Sequence, residues 1–90
     1  MRRAELDASL VSAAAVHARL ARDLGLPVHF GSNLDALWDT LLRDVPGPFE
    51  IVWHQADRAR EELGETFTRF EALFRELEAE RSDFQFRLEQ

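Results

Sequence analysis

The sequence predicts an α/β fold in two layers, a small parallel sheet with helices mainly on one face, and three observations lead to it. Segments of strand character and segments of helical period follow one another in the order strand, helix, helix, strand, helix, helix, strand. Helices intervene between successive strands, and such crossovers make the strands parallel. The last strand alternates apolar and polar residues, which leaves one face of the sheet wet; a parallel sheet covered on both faces reads as continuous apolar runs instead.

Each element has its own signal. Ala4-Glu5-Leu6-Asp7 alternates as a strand, and Ser12 to Leu24 is an alanine-rich helix stopped by Gly25 and Pro27. Pro27 and Gly31 mark an irregular loop, after which Ser32 or Asn33 can cap a helix whose apolar positions are Leu34, Leu37, Leu41 and Val45. Pro46-Gly47-Pro48 breaks the chain before Phe49-Glu50-Ile51-Val52-Trp53, which is β-branched and aromatic enough for a second strand. Asp57 to Leu63 reads as a short helix ended by Gly64. Thr66 is the expected cap of a longer helix with the stripe Phe67, Phe70, Leu73, Phe74 and Leu77, leaving Arg69, Glu76 and Glu80 outside or at its margin. Those phenylalanines are core residues and not a cofactor box. Phe84-Gln85-Phe86-Arg87-Leu88-Glu89 closes the chain as a period-2 strand.

Composition narrows the function. The 90 residues are expected to form one domain, 1–90, with a single small core. Without cysteine there is neither a disulfide framework nor a thiolate metal site. The N-terminus lacks an apolar signal core, and no run approaches the roughly 18 apolar residues of a membrane span, so the expectation is a cytoplasmic protein without membrane contact. Eleven basic against 17 acidic residues give a net charge of −6, which repels nucleic acid and attracts basic proteins.

The stretch from Leu26 to Asp39 is the most informative. At about 100° per residue, Asp35 and Asp39 fall on one strip of their helix, flanked by Trp38 and Leu42 and outside the buried stripe. Their i,i+4 repulsion costs roughly 0.2–0.5 kcal/mol, so the pair is mildly unfavourable until a cation arrives. The plain alternative is a solvated acidic face, with Asp35 helped by the helix dipole. Glu76 and Glu80 form a second such pair. No nucleophile, base and orienting acid stand in a local catalytic signature, and no glycine-rich phosphate loop is present, so an enzyme is not expected. His17 and His54 read as structural or surface residues. His29, in the loop beside the aspartates, could join Asp35 and Asp39 around a divalent metal, but the expectation is that no metal and no cofactor are bound.

These residues carry a resemblance. Leu26-Pro27 with Gly31, the run Asn33-Leu34-Asp35-Ala36-Leu37-Trp38-Asp39, then Trp53, Phe74-Arg75-Glu76, Ala79-Glu80 and the final strand resemble the barstar-like family of intracellular ribonuclease inhibitors over nearly the whole chain. The resemblance implies a three-stranded parallel sheet with helices mainly on one face. It also implies that the aspartate helix and its preceding loop plug the active site of a basic, barnase-like ribonuclease of the extracellular type, where carboxylates replace RNA phosphate. Asp39 would be the main phosphate mimic, Asp35 and Glu76 its electrostatic partners, and Trp38 a packing residue. His29, Gly31, Asn33 and Leu34 would be contacts of the loop and helix start, and Glu80 a rim charge. The free protein is expected to be a monomer.

The sequence departs from the barstar pattern at several places. His29 stands where that pattern has tyrosine, Thr40 where it has cysteine, and Leu42, Arg43 and Asp44 where it has threonine, glycine and tryptophan. These departures keep open an alternative, an immunity or adaptor protein for another basic toxin or enzyme.

Overall fold

The computed structural model describes residues 1–26 and 33–90. Its elements are β1 (Arg2–Leu6), α1 (Ala13–Leu24), α2 (Leu34–Arg43), β2 (Phe49–Trp53), α3 (Ala56–Leu63), α4 (Glu65–Glu80) and β3 (Phe84–Leu88). The three strands form one sheet in the order β1-β2-β3 with both pairings parallel. The expected fold class is therefore the observed one.

Register explains why one face is dry. Ala4, Ile51 and Phe86 stand side by side across the sheet, as do Leu6, Trp53 and Leu88. With Phe49 and Phe84 they meet Leu20, Leu37, Leu41, Phe67, Phe70, Phe74 and Leu77 in a single hydrophobic core. Trp53 lies 4.4 Å from Phe67, and Phe74 lies 5.0 Å from Phe86, between ring centroids. Strand alternation sends Arg3, Glu50 and Gln85, and then Glu5, Val52 and Arg87, to the other face. The central strand is nonetheless buried at all five positions. Glu50, 4% exposed, is ion-paired with Arg3, so its charge is compensated where it leaves water.

Side chains engage both edges of the sheet at their middle. On β1, Glu5 N–H donates to Asp23 Oδ2 (3.0 Å) and its carbonyl accepts from Arg19 Nη1 (2.8 Å). On β3, Phe86 N–H donates to Glu78 Oε2 (2.9 Å) and its carbonyl accepts from Arg75 Nη1 (3.4 Å). An acid and an arginine from one flanking helix thus occupy the outward-facing backbone groups of one residue on each edge, which interrupts the template for strand addition.

The helix ends follow the sequence with three corrections: α2 stops at Arg43, so Val45 lies beyond it, α3 starts at Ala56 rather than Asp57, and Thr66 is not the cap of α4. Ser12 Oγ accepts from Ala15 N–H, and Gly25 ends α1 in the left-handed region at φ 69°. Asn33, one of the two residues expected to cap α2, accepts from Ala36 N–H at 2.8 Å. Thr66 does not cap α4: it lies inside the helix, which starts at Glu65. A single residue, Gly64 at φ 57° and ψ −125°, both ends α3 and precedes α4, and its carbonyl accepts from Phe67 N–H at 3.0 Å. That sharp redirection needs a residue without Cβ, and it starts the next helix before Thr66 is reached.

Candidate functional site

Helix α2 packs on α4, and a shallow groove of about 420 Å³ runs between them. Leu34, Asp35 and Trp38 line it from α2, and Arg69, Ala72, Leu73 and Glu76 from α4. The local cause is helical period. Leu37 and Leu41 point into the core, so Asp35 and Asp39 come out on the neighbouring strip and are exposed. Trp38, between them, is half-buried and packs against the core. On α4, burial of Phe70, Phe74 and Leu77 brings Arg69, Ala72, Glu76 and Glu80 out along one strip at spacings of three and four residues.

Of the residues expected from sequence, Leu34, Asp35, Trp38 and Glu76 are brought together in the groove. Asp39 and Glu80 are exposed on the same two helices, and Asn33 is exposed at the α2 cap. His29 and Gly31 lie outside the described residues. The metal reading of Asp35, Asp39 and His29 lies there with them; among the described residues no group of three His, Asp or Glu side chains is placed to hold a metal ion.

The four groove and flank acids are left open. Asp35, Asp39, Glu76 and Glu80 form no ion pair among the described residues, a condition shared only by Asp44, Glu61 and Glu62. Elsewhere acids are engaged: Glu5 and Glu89 face the two ring nitrogens of His54 at 3.1 and 3.2 Å, and Glu71 faces Arg60 at 3.8 Å.

A residue outside the sequence-based expectation holds the end of α2. Arg81 Nη1 donates to the carbonyls of Leu41 and Val45, both at 2.8 Å. Its Nε and Nη2 donate to the two oxygens of Asp83 at 2.8 and 2.7 Å, and its guanidinium carbon lies 4.9 Å from the Phe49 ring centroid. Those hydrogen bonds hold the Asp83 carboxyl below its ordinary pKa. The fork ties the C-terminal turn of α2 to the start of β3, and so fixes the helix that carries Asp35 and Asp39.

Fold and groove together define a class: a small parallel α/β protein whose second and fourth helices present open carboxylates around a half-buried tryptophan. Residues 1–89 of the 90-residue chain match the family Barstar (barnase inhibitor), and the chain belongs to that family. Barstar family members are inhibitors and not enzymes. No helix among the described residues is long and apolar enough to cross a membrane.

Proposed function

We propose that this protein inhibits a basic, barnase-type ribonuclease by laying the outer strip of α2 and the flank of α4 over the cations that hold RNA phosphate. Asp39 is the main phosphate mimic, with Asp35 and Glu76 as electrostatic partners. Trp38 supplies packing area, Asn33 and Leu34 contact the partner at the helix start, and Glu80 is a charge at the rim; the loop residues His29 and Gly31 complete the surface. The protein works as one cytoplasmic domain without cofactor.

The observation that carries this reading is that Asp35, Asp39, Glu76 and Glu80, on adjoining helices, have no ion pair among the described residues, where most other acids are paired. Each is already arranged for an arginine or lysine to meet. Charge-assisted contacts of carboxylate to guanidinium are short and strong, and like charges held apart on rigid helices avoid reorganisation when the partner arrives.

The test is a titration of RNA cleavage by barnase with wild type, Asp39→Ala and Glu61→Ala. Glu61 is exposed on α3 and is likewise without an ion pair among the described residues, so it matches Asp39 in charge and openness but not in place. Asp39→Ala should weaken inhibition by about 2–5 kcal/mol, because it leaves a desolvated cation unpaired. Glu61→Ala should change it by less than about 0.5 kcal/mol. Equal losses would show that net charge alone drives binding.

A further inference from the structure

Arg69 is the cation among the described residues that line the groove, and it faces the same space as Asp35 and Glu76. It also lines a neighbouring cavity of about 130 Å³ with Asn33, Leu34 and Thr66, which places it at the end of the groove where α2 begins. The α4 strip is therefore graded in charge: Arg69, then Ala72, then Glu76 and Glu80. The positive end of the α2 dipole lies on the Arg69 side.

Arg69 does not neutralise the groove acids. Its Nη2 is bonded to Glu65 Oε1 at 3.0 Å, one turn back on α4, and both side chains of this pair are more than half exposed. Such an i,i+4 surface pair is among the weakest ionic contacts in proteins, so it holds the guanidinium away from Asp35 and Glu76 without committing it.

A partner made only of cations would meet repulsion at this end of the groove. From that geometry we infer that Arg69 is a specificity-determining residue: on docking, its guanidinium leaves Glu65 and donates to a carboxylate that the ribonuclease carries beside its phosphate-binding cations. A carboxylate is one of the groups that can serve there as general base for RNA cleavage, taking the proton of the attacking hydroxyl, and it is the one that a guanidinium would meet with attraction. The two-point geometry of guanidinium and carboxylate makes the contact selective as well as attractive. This inference rests on the inhibitor reading above.

The experiment measures inhibition of barnase by wild type, Arg69→Ala, Arg69→Lys, Arg69→Glu and Glu65→Ala, with thermal melts confirming that each variant folds. Arg69→Ala should raise the inhibition constant at least about tenfold, Arg69→Glu should raise it further, and Arg69→Lys should retain part of the affinity. Glu65→Ala, which frees the guanidinium, should leave inhibition within about threefold of wild type or strengthen it. Net charge predicts the opposite order, because removing a cation from an acidic protein favours a basic partner. Tighter inhibition by Arg69→Ala and Arg69→Glu would overturn the inference, as would equal weakening by Glu65→Ala and Arg69→Ala, which would reduce Arg69 to a helix-stabilising residue. A wild-type protein that leaves barnase active would contradict the inhibitor reading itself and take the Arg69 contact with it, whereas inhibition insensitive to Arg69 would remove only the contact.

Discussion

His17 sits on α1, 4% exposed as a residue, with its ring 5.2 Å from that of Phe70, edge to face. Burial pushes its pKa below the ordinary 6.5, because the protonated ring loses hydration in the core. The unfolded chain then binds more protons than the native one as pH falls below about 6.5, and folding stability declines until the native pKa is reached. The slope from this group is at most about 1.4 kcal/mol per pH unit. Wild type should lose more unfolding free energy between pH 7.5 and 5.5 than His17→Gln, measured by urea denaturation at both pH values; parallel losses would mean that His17 titrates alike in both states. The expectation of a structural or surface histidine was legible from its place in an alanine-rich helix, but which of the two holds depends on Phe70, 53 residues away in sequence.

Elements are positioned by contacts of two kinds, and only one kind is visible in sequence. The period of Leu37 and Leu41 on α2, and of Phe67, Phe70, Phe74 and Leu77 on α4, sets the buried faces, and the strips bearing Asp35, Asp39, Glu76 and Glu80 follow from helix geometry alone. The strand Phe49–Trp53 is equally legible because its β-branched and aromatic residues lie between a Pro-Gly-Pro break and the next helix. Arg81 was not legible: its acceptors at Leu41 and Val45 are 40 and 36 residues away, and nothing local distinguishes it from a surface arginine. Arg81→Ala should lower the unfolding free energy by about 1–3 kcal/mol, since the part-buried carbonyls of Leu41, in the last turn of α2, and of Val45, just beyond it, lose a charged donor. Arg81→Lys should recover only part of this because it lacks the fork. Denaturant melts of the three proteins check both, and a wild-type midpoint for Arg81→Ala would dismiss the tether.

The sheet edges make the same point. Nothing in the sequence singles out Glu78, yet it accepts from Phe86 N–H on β3. Glu78→Ala should cost about 1 kcal/mol in thermal unfolding and increase light scattering on prolonged heating, because the β3 edge is then open to strand addition. Unchanged scattering would show that Arg75 and the neighbouring side chains cover that edge by themselves.

Across the whole molecule, a net charge of −6 makes long-range attraction part of the proposed mechanism. Steering acts on encounter more than on the docked complex, so raising salt should slow association with barnase much more than it speeds dissociation, over a screening length of about 8–10 Å. Stopped-flow association at several ionic strengths checks this, and a salt-independent association rate would contradict it.

Steering alone, however, would serve any acidic protein. The central claim is narrower: carboxylates on α2 and α4 stand where RNA phosphate would stand, so inhibitor and phosphate exclude each other. The most direct measurement is the affinity of this protein for barnase in increasing concentrations of a ribonucleoside 3′-monophosphate at constant ionic strength. Competition predicts that the apparent Kd rises in proportion to one plus the ratio of nucleotide concentration to the nucleotide's own Kd. An apparent Kd that stays constant while the nucleotide remains bound in a ternary complex would mean that the acidic face docks away from the phosphate site.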